Sequence, residues 1–196
     1  MKRKMAVGLL LATAGLVLLV AAGLFLLGGD KQAKEVREGI ADLKSPRASV
    51  RNRGAKALAQ IGPAAKDAVP TLIPLLQDNN PRVRTHAARA LGKIGGPAKS
   101  AVSDLIPLLG DESPPVRKDA AEALGRFGAD AKDAVEPLAQ ALGDTDVNVR
   151  REAAAALGKI GPAAKDAVPA LQAAQRDGEQ QVRDAAAYSV VKITKR

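Results

Sequence analysis

Carboxylates and guanidiniums recur along this chain at a fixed step. Asp78, Asp111, Asp144 and Asp177 each stand six residues before an arginine, namely Arg84, Arg117, Arg150 and Arg183, and each series repeats every 33 residues. A carboxylate beside a guanidinium can hold a proton or an anion at a catalytic centre. Such a centre occurs once in a chain, whereas this pair occurs in every period. The recurrence therefore predicts a structural ladder between successive units, with no catalytic residue among its members. His86 is the only histidine, and there is no cysteine. One imidazole is too few donors for a metal, so neither a metal nor a cofactor is expected. Disulfides and a thiolate nucleophile are excluded with the cysteines.

The elements that position these residues are repeats. The stretch Ile61–Pro70 recurs letter for letter as Ile160–Pro169, 99 residues later. Val50-Arg51 returns as Val83-Arg84, Val116-Arg117, Val149-Arg150 and Val182-Arg183, without insertion or deletion. Each unit reads as two helices. Helix A opens after Ser45-Pro46, Asn80-Pro81 or Ser113-Pro114, a capping side chain followed by the residue best suited to a first turn. Its apolar positions, such as Val83, Ala87, Ala90, Leu91 and Ile94, keep helical spacing. Gly62, Gly95, Gly128 and Gly161 end it, where a left-handed cap is expected. Helix B is expected to start at Asp67, Ser100, Asp133 and Asp166 as N-caps. Pro74 and Pro107 fall inside it and should loosen it. With only Phe25, Phe127 and Tyr188 as aromatics, the core must be small and aliphatic, which suits closely packed helices.

The pattern Asp-x-x-x-x-Val-Arg-x-x-Ala-x-x-Ala-Leu-x-x-Ile-Gly, followed by Ala-Val-Pro-x-Leu, resembles the HEAT repeat, of the type found in phycobilisome lyases and many bacterial proteins. The resemblance covers about residues 36–194. It implies an all-α fold, an α-solenoid of helix pairs in a right-handed superhelix, with B helices on the concave side. By that analogy residues 36–43 are a partial B helix, 46–177 are four repeats, and 179–194 are a terminal capping helix. Gln180, Gln181, Tyr188, Ser189 and Lys192 make that last helix more polar, as an end cap requires.

Activities known in proteins of this fold need residues that are missing here. HEAT-type diiron hydroxylases carry His-Glu pairs, but this chain has His86-Ala87, with Gly54, Ala120 and Ala153 in the other units. A tetrapyrrole needs an apolar or aromatic groove, and the expected concave positions are Pro70, Thr71, Pro74, Ser103, Asp104, Pro107, Glu136, Pro137 and Gln140. Nucleic acid is disfavoured because that face is not basic and stacking platforms are absent.

The first 30 residues form a separate unit. Lys2, Arg3 and Lys4 precede 23 residues, Met5 to Leu27, without a charge. As a helix that run spans roughly 34 Å, enough for a bilayer core of about 30 Å. It is longer than the apolar region of a cleaved signal, so one uncleaved transmembrane signal-anchor is expected over residues 5–27. The basic tip favours a cytoplasmic N-terminus, placing domain 31–196 outside the cytoplasm, in the periplasm if the envelope has two membranes.

Net charge is +9, of which the part after residue 30 carries +7, from 27 basic against 20 acidic residues. Basic residues gather on the early A helices: Arg47, Arg51, Arg53, Lys56, Arg82, Arg84, Arg89 and Lys93. Lys93, Arg126, Lys159 and Lys192 sit near A-helix ends, where the helix dipole favours them. These features predict a non-enzymatic, membrane-anchored scaffold for a protein or peptide partner. The alternatives are an accessory or chaperone subunit of a lyase-type enzyme, or a binder of anionic lipid or polyanion through the basic A helices.

Overall fold

Prolines and small residues decide how each unit bends and how close its neighbour comes. The computed structural model describes residues 31–195. The expected span at residues 5–27 lies outside them. Among the described residues no helix is long and apolar enough to cross a membrane, and all regular structure is helical. Helix α1 covers residues 31–43. After it come α2 (Ala48–Ile61), α3 (Val69–Leu72), α4 (Pro81–Ile94), α5 (Val102–Leu105) and α6 (Pro114–Arg126). The series ends with α7 (Val135–Ala141), α8 (Val147–Ile160), α9 (Val168–Ala174) and α10 (Gln180–Thr194). Even-numbered helices are the A helices and odd-numbered ones the B helices. Val36 and Leu43 are buried in α1 as Val69 in α3 and Leu76 in the turn after it are, so α1 is a B helix that starts earlier than residue 36.

A 3-10 turn joins A to B in every unit: Gly62–Ala68, Gly96–Ala101, Gly128–Ala134 and Gly161–Ala167. Gly62, Gly95 and Gly161 enter it with φ of 69°, 71° and 73° and ψ of −134°, −139° and −142°. That is the mirror image of extended backbone rather than the left-handed cap expected, and only glycine occupies it freely. Asp67, Ser100, Asp133 and Asp166 do not cap the B helices. A cap residue needs extended backbone, and here the turn is already helical where α3 begins, with Ala68 at φ −81° and ψ −14°. Before the A helices, Asn80 caps Arg82 N at 3.0 Å, and Asp146 caps Asn148 N at 2.8 Å. Ser113 makes no such bond, and Ser45 bonds Arg47 N ahead of α2.

Pro74 and Pro107 act as expected. Lacking an amide hydrogen, they end α3 and α5 after one turn, and the chain tightens into 3-10 turns over Ile73–Gln77 and Ile106–Gly110. Gln140 and Ala173 hold the same positions in the last two units, and there α7 and α9 continue as α-helix.

The core is built in rows. Leu58, Leu91, Leu124 and Leu157 on the A helices face Leu72, Leu105, Leu138 and Leu171 on the B helices, and all eight are fully buried. Each leucine stabilises by about 1.5–3 kcal/mol relative to exposure. Consecutive A helices then stack on small residues. A Cβ on Gly92 would lie 2.7 Å from Ala123 Cα, and one on Gly125 would lie 2.8 Å from Ala156 Cα. Ser189 continues this row. It is fully buried and donates to the Ala154 carbonyl at 2.7 Å, so it is not part of a polar outer face.

Candidate functional site

The recurring acids and arginines meet in a register that differs from their sequence order. Helix B runs back along helix A, so its C-terminal aspartate reaches the first turn of the same unit. Arg51 Nε binds Asp78 Oδ2 at 2.6 Å, and Arg84 binds Asp111, Arg117 binds Asp144 and Arg150 binds Asp177, each at 2.7 Å. The partner of each carboxylate lies 27 residues before it. The arginine six residues after it meets only the aspartate's backbone: Arg84 Nη1 donates to the Asp78 carbonyl at 2.9 Å. Every interior arginine therefore holds two successive aspartates, one by its carbonyl and one by its carboxylate. The series opens at Arg51, which donates to the Ser45 carbonyl at 3.0 Å. It closes at Arg183, which donates to the Asp177 carbonyl and to Gln180, with no carboxylate paired to it among the described residues.

These pairs are mostly shielded; Arg84 and Asp111 are both 11% exposed. The second oxygen of each acid accepts an amide two residues on, as Asp78 Oδ1 does from Asn80 N at 2.9 Å. Burial alone would raise the Asp78 and Asp144 carboxyls. Arg51 with the Asn80 amide, and Arg117 with the Asp146 amide, outweigh it and hold both below the usual carboxylate range. Asp177 is lowered chiefly by Arg150, then by the Glu179 amide. Such groups stay ionised and paired, which suits a fastener.

His86 Nδ1 lies 2.9 Å from the Arg82 carbonyl, a bond within its own helix. Among the described residues, no three His, Cys, Asp or Glu converge as a metal requires. The basic face is less free than its sequence implies. Arg53 pairs with Asp42 at 2.9 Å, and Arg89 pairs with buried Asp119 at 2.7 Å, while Lys118 Nζ stands 3.1 Å from the other Asp119 oxygen. Arg51 and Arg84 belong to the ladder. Arg47, Lys56, Arg82 and Lys93 are exposed.

On the B side, Pro70, Pro74, Ser103, Pro107, Glu136 and Gln140 are exposed, and Thr71 and Asp104 are half-buried. Pro137 and Gln140 join Ile106 and Leu109 in a depression of about 330 Å³ between the 3-10 turn Ile106–Gly110 and α7. Glu136 joins Lys132, Asp133 and Asp166 in another of about 460 Å³.

The family profile of HEAT repeats matches residues 36–102 and 102–191. The chain belongs to the HEAT-repeat family. The HEAT array is similar to the crystal structure of an engineered protein, with 29% identity and a TM-score of 0.72 over 81% of this chain and 78% of that one. It is also similar to the complex of CpcE and CpcF of phycocyanin lyase from Nostoc sp. PCC7120, with 30% identity and a TM-score of 0.71 over 81% and 65% of the two chains. A designed armadillo repeat protein in complex with the peptide (KR)4 shares the fold, at 21% identity and a TM-score of 0.69 over 80% of each chain. No curated protein matches the sequence.

Two features of the HEAT array escape a reading by motif. Arg51 begins the ladder, although Ser45 stands where the period would place an aspartate. A cleft between α8 and α10 is lined by Tyr188 with Lys159 and Lys192, two members of a cationic series that the sequence assigned only to the helix dipole. The available signal was negative: the charged series Arg89, Glu122 stops at Ala155.

Proposed function

We propose that the chain is a non-enzymatic scaffold, anchored in a membrane through residues 5–27, whose HEAT array binds a protein or peptide outside the cytoplasm. The observation that carries this reading is the fate of the recurrent polar residues. The ladder consumes them as fasteners, so what the units share is a shaped surface and not a reactive centre. Pro70, Thr71, Pro74, Ser103, Asp104, Pro107, Glu136 and Gln140 present that surface on the B helices. Two similar folds seen in complexes, CpcE with CpcF and a designed armadillo protein with (KR)4, support a protein or peptide as the occupant. The anchor is supported by the charge-free run from Met5 to Leu27, and the orientation by Lys2, Arg3 and Lys4.

The test has two parts. Capture from membranes with the full-length chain should retain a partner that is lost from a folded Thr71→Lys, Ser103→Lys, Glu136→Lys variant. Unchanged capture would move the site off the B face. Protease added outside spheroplasts should digest the repeats, and their full protection would reject the orientation.

The likeness to a phycocyanin lyase complex favours one second reading, an accessory subunit of a lyase-type enzyme. Added tetrapyrrole would then change its absorbance on mixing with the full-length chain.

A further inference from the structure

Repeat symmetry supplies an internal reference for every site, and it breaks at Ala155. This position on α8 corresponds to Glu122 on α6 and Arg89 on α4, one and two periods earlier. In both earlier intervals the charge is neutralised where it stands. Arg89 reaches buried Asp119 on the next A helix at 2.7 Å. Glu122 accepts from Arg126 Nη2 at 2.9 Å. Its carboxyl is held below the usual range, with burial opposing and Arg126, Lys118 and Lys159 prevailing. Lys159, on the following helix, contributes to that lowering through its charge, without an ion pair to Glu122 among the described residues.

Between α8 and α10 this arrangement keeps its cations and lacks its acid. Lys159 now stands where Arg126 stood, and Lys192 where Lys159 stood, but Ala155 offers no carboxylate. No ion pair among the described residues includes either lysine. Between the two helices lies a cleft of about 490 Å³ whose lining includes Ala155, Gly158, Lys159, Ala185, Tyr188 and Lys192. Tyr188 is 63% exposed, and Lys192 Nζ lies 5.4 Å from its ring centroid.

We infer that this cleft accepts a carboxylate side chain from an acidic segment of a partner protein, in the place that Glu122 fills one repeat earlier. Both charges lining the cleft are positive and no acid lines it, so the occupant is anionic. One period earlier, the positions of Ala155 and Ala185 hold glutamates, Glu122 and Glu152. The aliphatic walls of Ala155 and Gly158 and the face of Tyr188 suit the methylenes of such a side chain. The inference rests on the protein-binding reading only in taking the occupant to be a protein segment, because the cleft lies on the A helices, apart from the B surface.

Tyr188 is the only tyrosine and there is no tryptophan, so intrinsic emission reports on this cleft alone. The full-length chain in neutral detergent is titrated with acetylated, amidated pentaglutamate. A saturable change in tyrosine emission is expected. The half-saturating concentration should rise at least tenfold in Lys159→Gln/Lys192→Gln. It should rise as much in Ala155→Glu, which supplies its own carboxylate in the manner of Glu122. Ala155→Gln, of equal volume and no charge, should stay within about threefold of the parent. No saturable change in the parent would overturn the inference. So would equal losses in Ala155→Glu and Ala155→Gln, or phosphatidylglycerol vesicles binding through the two lysines while pentaglutamate stays inert. If pentaglutamate fails while the B-face variant still loses its partner, the scaffold stands without this site.

Discussion

Arg117 grips the Asp144 carboxylate with both edges of its guanidinium, Nε to Oδ2 at 2.7 Å and Nη2 to Oδ1 at 2.8 Å. Its remaining nitrogen donates to the Asp111 carbonyl at 2.8 Å. One side chain thus closes helix pair α6–α7 and ties it to the pair before. Among the described residues Arg183 has only the second of these functions, since it donates to the Asp177 carbonyl and pairs with no carboxylate.

Arg117→Ala should therefore cost more than Arg183→Ala. The first leaves Asp144 shielded and short of its main partner, a loss of about 1–3 kcal/mol. The second should fray the terminal helix alone, because repeat arrays pass stability between nearest neighbours. Urea unfolding of residues 31–196 measures both, and equal, negligible losses would refute the ladder.

Acid should loosen the same contacts. The folded-state pKa values of Asp78, Asp144 and Asp177 are lowered from 3.8, so their stabilising effect is complete above that value and fades as pH falls through the folded values. Stability should decline below about pH 4. In Arg117→Ala the decline should be shallower, since Asp144 then titrates more alike in both states. Urea midpoints from pH 6 to 2 give the comparison, and parallel curves would count against it.

Close helix stacking predicts an asymmetry among glycines. Gly92→Ala would place a Cβ 2.7 Å from the Ala123 Cα, backbone that cannot yield without moving α6. A loss of about 1–3 kcal/mol is expected. Gly110→Ala meets nothing within 4 Å and should change stability by less than about 0.5 kcal/mol. Thermal unfolding of the two variants distinguishes them.

Pro74→Ala should restore the bond geometry seen where Ala173 occupies the same position. The segment 73–77 would then continue α3 as α-helix, and its amides should gain protection in hydrogen exchange. Unchanged protection there would mean that packing, and not the missing amide, sets the 3-10 turn.

How much of this was legible in sequence depends on what a period can encode. An unbroken recurrence of 33 residues states that similar units stack, that each is long enough for two helices, and that the repeated residues form a series and no single centre. The two prolines state which B helices break, because the missing donor acts within its own turn. The HEAT resemblance implied a partial B helix over residues 36–43, and the burial of Val36 and Leu43 agrees with it.

Partnership is different, since a recurrence cannot say which copies touch. Asp78 lies six residues from Arg84 and 27 from Arg51, and the period is equally consistent with either pairing. The return path of helix B brings Asp78 against Arg51 and offers Arg84 only a carbonyl. The same applies to Ser189, polar in sequence yet buried, because α8 supplies the Ala154 carbonyl that its hydroxyl needs. It applies to Arg53 and Arg89, whose charges are met by Asp42 and Asp119 on neighbouring helices. Local chemistry set the helices and their ends; stacking in three dimensions decided which charges were neutralised, and placed Lys159 and Lys192 on a cleft with no carboxylate among its lining residues.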